Sequence, residues 1–395
     1  MNLRRFRRVV FVFPPKSRTL TLFTAMTLFA VLTITVQTSA RVTHRITTFN
    51  VQGAGAGAGQ GTVGIGVNGA GSIVGYYFDG YSVTHGFVRN RDGAITKFDP
   101  PGSTGTFVYA LNWEGAITGF YSDATSVYHG FLRARHGKIT TFDAPGVGTG
   151  PGQGTITGDI NDFGGIAGYY YDASSVGHGF LRNPDGSFAT FDASGAGTAP
   201  GQGTFPQFFS ALTDFGAITG FYVDANNVYH GFVRHFDGAI TEFDAAGGGT
   251  GPGQGTISYS INQRGATIGP YLDATTVGHG FVRDADGTIT EFDVPGSGTG
   301  VGTGVGFGFV QGTIPLGNNR GGVTVGIYVD QNNAAHGFQR AVNGEITTFD
   351  VPGAGTGANQ GTFPCSNNAE EASAGFYIDA SNVSHGFLRN PKDRR

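Results

Sequence analysis

Seven histidines recur in one motif, each with a carboxylate at a fixed spacing. His-Gly-Phe-x-Arg begins at His85, His129, His178, His230, His279, His336 and His385. Six residues before each lies an aspartate: Asp79, Asp123, Asp172, Asp224, Asp273, Asp330 and Asp379. A tyrosine stands two residues before each aspartate, from Tyr77 to Tyr377. An imidazole beside a carboxylate can act as a general-base dyad, or offer nitrogen and oxygen to a metal. The repetition argues against both. A reactive centre is asymmetric, whereas a feature present in every copy of a repeat builds the copy. On a strand, the His, Phe and Arg of the motif fall on one face. The expected role is structural, with the imidazole packed between neighbouring copies and bonded to a polar group.

A second set of carboxylates closes the recurring Phe-Asp pairs at Asp99, Asp143, Asp192, Asp244, Asp293 and Asp350, with Asn50 in the seventh place. A ring of such groups suits calcium. The simpler expectation is an Asx turn opening each Gly-rich loop. Those loops, such as 146–154, lack the aspartates of calcium-binding nonapeptides. They also lack a phosphate-loop lysine and a following helix. No motif calls for a metal or a cofactor.

Residues that break the repeat are the better candidates. Asp159 is the only acid in the segment that opens each copy, where the others carry Gly66, Ala110, Ala211, Ser260, Gly317 and Ser366. It is expected to be a solvated channel acid rather than a catalyst. Trp113 is the sole tryptophan and is expected to pack at an edge. Cys365 is the sole cysteine, so no intrachain disulfide can form. It reads as a small buried residue.

These positions imply four short strands per copy. The first runs from Gly-Thr to a hydrophobic residue and Asn, as in Gly154-Thr155 to Ile160-Asn161, with a turn closing at Gly164. Thr213 replaces that Asn once, and Glu371 replaces that Gly once. The second strand runs to the Tyr and Asp, the third is the His motif, and the fourth ends in Phe-Asp. Between the last two lies Asp-Gly or Asn-Gly in most copies, which predicts type I′ hairpins. Antiparallel strands at a period near 50 residues mean propeller blades. The chain opens with a lone fourth strand, Arg45 to Asn50, and its last copy stops after a third strand. The expected fold is an all-β, seven-bladed propeller over residues 41–395, with the first strand completing the last blade. Completing the last blade in this way pairs the edge that its third strand would otherwise expose.

The motifs Ile-Asn-x-x-Gly (Ile160 to Gly164), Gly-x-Tyr (Gly168 to Tyr170), His-Gly-Phe (His178 to Phe180) and Thr-x-Phe-Asp (Thr241 to Asp244) resemble bacterial extracellular repeats of the His-Ala-Phe (HAF) type. Gly stands in place of the family's Ala throughout. The resemblance covers about residues 43–390. It implies an exported β-repeat protein, and carries no established activity or catalytic residue.

The copies differ in their connectors. The loop from fourth strand to next first strand spans 12 residues in five copies, shrinks to seven at Asp99 to Thr106 and grows to 20 at Asp293 to Thr313. The long one adds Val305, Phe307, Phe309 and Val310. One first strand is three residues longer, Thr204 to Thr213, and brings in Phe208 and Phe209. Connectors and Asp-bearing hairpins share a rim, which is the default place for a ligand. Asp159, Val305, Phe307 and Phe309 are the candidate ligand-binding residues.

Residues 1–40 hold six cations and no acid; Leu20 to Val36 is uncharged, and Thr38-Ser39-Ala40 follows. This order predicts a signal peptide cut after Ala40, with an uncleaved anchor as the alternative. The net charge of −4 leaves the remainder near −10. Nucleic acid and anionic membrane surfaces are poor partners for it. Secretion or a periplasmic location is expected, with no membrane span in the mature chain. The function expected is a non-catalytic binding or scaffold module for a glycan or another cell-surface component. The alternatives are a glycan-active hydrolase or lyase using rim or channel carboxylates, and a purely structural envelope protein.

Overall fold

In each copy of the repeat, burial falls from the first strand to the fourth. Gly154–Ile160 is buried along its whole length, while Phe188–Phe191 is half-exposed. The computed structural model describes residues 44–300 and 310–391. The leader expected over residues 1–40, and Val305, Phe307 and Phe309, lie outside the described residues. Among the described residues the regular structure is all strand.

One copy stands for the rest. Gly154–Ile160, Ile166–Tyr171, Gly177–Arg182 and Phe188–Phe191 pair antiparallel in chain order. Their β-branched and aromatic residues suit a pleated surface buried on both faces. Tyr170 lies opposite His178, which brings the two rings into a stack. Phe180, like its counterparts Phe87, Phe131, Phe232, Phe281, Phe338 and Phe387, is fully buried. Each such ring contributes roughly 1.5–3 kcal/mol.

Neighbouring copies are held by the same residues each time. Arg182 lies 4.7 Å from the ring centre of Phe142, in the fourth strand of the preceding copy. Arg133, Arg234, Arg283, Arg340 and Arg389 repeat this at 4.3 to 5.0 Å. Gly154 bridges to Tyr128 in the preceding third strand. Its φ of +124°, and a Cβ that would fall 2.1 Å from the Tyr128 carbonyl oxygen, leave room for glycine alone.

The strand Arg45–Phe49 pairs antiparallel with Ser384–Asn390, Phe49 facing Gly386. Phe191 faces Gly179 in the same way within an ordinary copy. Arg89 then lies over Phe49 at 5.0 Å.

The hairpins differ from the type I′ expectation. In Asn90 to Ala94 only Gly93 has positive φ, and its N–H donates to the Asn90 carbonyl. This is a type I turn followed by a left-handed glycine, whose twist also matches the flanking strands. Asp92 Oδ1 accepts from Ala94 N, 3.0 Å away.

The first strand carries a bulge in five copies, between Gly64 and Gly66, Val108 and Ala110, Thr157 and Asp159, Pro315 and Gly317, and Pro364 and Ser366. A bulge sets two residues against one and re-aims their side chains. In the fourth copy the strand shortens to Gly203–Pro206, and the inserted residues leave it before the bridge between Leu212 and Ile218.

Candidate functional site

Each repeated histidine is held from both sides. His178 Nδ1 lies 3.0 Å from both oxygens of Asp192, and Nε2 lies 3.7 Å from Asp172. Tyr170 stacks on it with ring centres 5.1 Å apart. The other copies repeat this, with Asn50 taking the Asp192 place beside His385 at 2.9 Å. The Phe-Asp carboxylates therefore bind the imidazoles instead of forming the expected Asx turns. The Asx turns belong to the other set: Asp172 Oδ1 accepts from Ser174 N and Val176 N. In Asp123, backbone N–H from Val127 and the Thr125 hydroxyl draw the pKa down to about 2.

The sequence reading missed a glutamine. Six copies place Gln before the Gly-Thr that opens the first strand. Gln153 Oε1 accepts from Gly150 N, while Nε2 donates to the Ala173 carbonyl and Ser175 Oγ. It ties the Gly-rich connector to the hairpin beside it. Ser175 has φ +61°, and Asn227, Asn333 and Asn382 share that conformation. Their side-chain oxygens receive the glutamine amides, which explains a serine or asparagine where glycine would be less strained.

The asymmetric residues collect elsewhere, in a central space lined from every copy. It has three parts, linked by shared walls. An inner cavity of about 210 Å³ is walled by residues including Tyr76, Tyr109, Phe208, Phe209 and Cys365. A gap of about 40 Å³ shares Tyr109, Phe208 and Phe209 with it, and adds Asp159 and Ser366. A mouth of about 250 Å³ follows, with Asp159, Asp162, Asp214, Gln263, Arg320 and Asn368 in its wall. The inserted Phe208–Phe209 segment stands between inner cavity and mouth, with Phe208 stacked on Tyr109 at 4.5 Å.

Asp159 is 7 % exposed, not solvated as the sequence suggested. Its Oδ1 accepts from Ile160 N at 2.8 Å and its Oδ2 from Leu212 N at 2.9 Å, so it pins the end of the inserted segment. Burial pushes its pKa up to about 7, against those two N–H groups, and Asp214 and Asp162 add to the rise.

The mouth is framed by asparagines. Asn68 Nδ2 donates to the Asn112 carbonyl, Asn112 to Asn161, Asn161 to Thr213, Asn319 to Asn368 and Asn368 back to Asn68. The residue after each asparagine faces the opening, and these differ. Trp113 N donates to Asp162 Oδ1 at 2.7 Å, Asp162 N to Asp214 Oδ1 at 3.1 Å and Asp214 N to Gln263 Oε1 at 2.9 Å. Arg320 approaches Asp214 at 3.7 Å. Gly69 and Ala369 bring no polar side chain to the same ring. The Trp113 ring leans over Gly69, where a Cβ would fall 2.2 Å from it.

Trp113 is 60 % exposed rather than packed at an edge, and Phe163, Phe215 and Phe236 on the same rim are more exposed still. Trp113 also borders a groove of about 970 Å³ between the first two copies, with Asn68, Asn90, Glu114, Arg135 and His136 in its wall. The default rim was the one bearing the connectors; among the described residues, the asymmetry gathers on the opposite rim.

No family model matches the chain, and no curated protein matches it in sequence. Solved structures do. The chain is similar to a streptogramin B lyase at 14 % identity and a TM-score of 0.51, over 87 % of this chain and 97 % of that one. It is also similar to the BP39L lectin of Burkholderia pseudomallei (12 %, TM-score 0.49, 81 % and 94 %). TolB of Acinetobacter baumannii follows at 10 %, TM-score 0.39, 88 % and 80 %. At these identities the likeness is one of fold: an all-β chain with propeller-like neighbours.

Proposed function

We propose that the mature chain is an exported, seven-bladed propeller of the HAF-repeat type that binds glycans without turning them over. The site is the mouth and the groove that meet at Trp113. The pairing of Arg45–Phe49 with Ser384–Asn390 and the bond from Asn368 to Asn68 support closure of the ring. Export rests on the basic, apolar and small-residue order of residues 1–40.

The observation that carries the binding reading is the surface around Trp113. An exposed indole offers a flat apolar face to a sugar ring. The side chains of Asn90, Glu114, Arg135, His136 and Gln263 supply the mixed donors and acceptors that hydroxyls need. Exposed rings on three successive copies cost solubility and are retained on the rim where the repeat is least regular.

The glycan-active alternative has its own support. Asp159, held up to about 7, stands near Asp162 and Asp214, and carboxylates with separated pKa values can share acid and base work. Both Asp159 oxygens already accept from backbone N–H groups, which favours binding over catalysis.

A glycan array on the chain from Arg41, followed by titration of hits on Trp113 fluorescence, tests the reading. The sole tryptophan should report binding directly. Trp113→Ala should weaken binding at least tenfold, about 1.4 kcal/mol. Chain-length analysis of the same glycans separates the two readings: shortened products mean an enzyme, and no array hit rejects both.

A further inference from the structure

The inner cavity is a different kind of place from the mouth. Its walls are rings and aliphatic chains: Tyr76, Tyr109, Phe363 and Phe376 with Ile65 and Leu316. They come from several copies, and equivalent positions carry side chains of different size. Where the second strand of other copies carries Tyr76, Phe120, Tyr169 or Phe221, the fifth and sixth carry Pro270 and Ile327. Where first strands bring in Tyr109 and Tyr259, the last brings in Cys365. Larger side chains are thus tolerated at equivalent places, and the smaller ones leave the space.

Three features define what fits. Volume comes first: about 210 Å³ exceeds the roughly 150 Å³ of an apolar cavity that accepts benzene. Ring walls favour an aromatic guest, which gains edge and face contacts beyond simple burial. One buried amide sets polarity: Gln207 is 5 % exposed and its Nε2 donates to the Phe205 carbonyl at 3.3 Å. No hydrogen bond to Gln207 Oε1 forms among the described residues, so that oxygen can accept from a guest hydroxyl. Burial raises the pKa of Tyr76, Tyr109 and Cys365, which keeps the walls uncharged at neutral pH.

We propose that the inner cavity binds a small single-ring aromatic molecule bearing a hydroxyl, of the phenol class. The inserted Phe208–Phe209 segment separates this site from the glycan site at the mouth, and Cys365 and Leu316 set its size. The inference does not depend on the glycan reading.

The test titrates p-cresol against the full chain by ligand-observed NMR. Saturable binding is expected with a dissociation constant below about 1 mM. Cys365→Phe should fill the cavity and weaken binding at least tenfold while the melting temperature holds. Leu316→Phe provides the same filling from another strand should the first variant not fold. Bound p-cresol should also slow modification of the Cys365 thiol by a small thiosulfonate. Trp113→Ala should leave p-cresol binding unchanged, which keeps the two sites distinguishable. Absence of saturable binding up to about 5 mM, or equal affinity in a folded filling variant, overturns the proposal.

Discussion

At the scale of single residues, the repeated and the unique side chains predict opposite behaviour. His178 joins two aspartates and a tyrosine ring on a half-exposed surface. His178→Ala should cost about 1 kcal/mol in urea denaturation and leave glycan affinity unchanged, since six copies remain. Asp159 should reveal itself through pH. Its folded pKa is raised to about 7 by burial, above the ordinary carboxylate value. The folded state therefore holds this proton more tightly than the unfolded chain. That stabilisation is complete below about pH 4 and is lost as pH rises through about 7, a few kcal/mol at most. Asp159→Asn cannot titrate, and its amide must face either Ile160 N or Leu212 N. The variant should be clearly less stable than wild type at about pH 5, with the gap narrowing by about pH 8. A gap that stays constant across that range would deny Asp159 a shifted pKa.

At the scale of elements, the connectors show what a sequence displays and what it hides. The strands were legible because their period, their hairpin residues and their aromatic alternation all agree. Turn chemistry was only partly legible. Asp-Gly marks a hairpin, but its type depends on loop length, and here the three-residue form with one left-handed glycine prevails. The Phe-Asp carboxylates hold the imidazoles rather than opening Asx turns, because sequence spacing cannot say which carboxylate an imidazole meets across a sheet. Gln153 was visible as a repeated letter, yet its purpose appears only when the connector folds onto the next hairpin. Gln153→Ala should cost roughly 1–2 kcal/mol, from three lost hydrogen bonds. Hydrogen exchange should rise at Gly150 and through that connector alone. The inserted segment was legible as an irregularity in length. That Phe208 would stand across the central space, with Asp159 fastening its far end, required the fold.

At the scale of the whole molecule, the decisive contacts are those joining residues some three hundred positions apart. Arg45–Phe49 supplies a full register of five pairs to Ser384–Asn390. Phe49 meets Phe87 at 6.0 Å and lies beneath Arg89, and Asn50 holds His385. Asn368 donates to Asn68 at 3.1 Å, and Gly59 N donates to the Asn382 carbonyl at 2.8 Å. These resemble the contacts between ordinary neighbours, which supports the proposed ring closure. Deleting residues 44–50 removes a strand's ladder and uncovers the surface around Phe87. The loss should be several kcal/mol, seen as a lower denaturation midpoint and amide exchange concentrated in the last copy. Regrafting the same seven residues after Pro391 by a short linker should restore most of that stability. The strand would then reach its partner as a hairpin neighbour, with less loop entropy to overcome. Restoration would locate the effect in the strand itself rather than in the chain's starting point. A deletion that leaves the midpoint unchanged, or a graft that recovers nothing, would mean the repeat is held together within copies and that the proposed ring closure adds little.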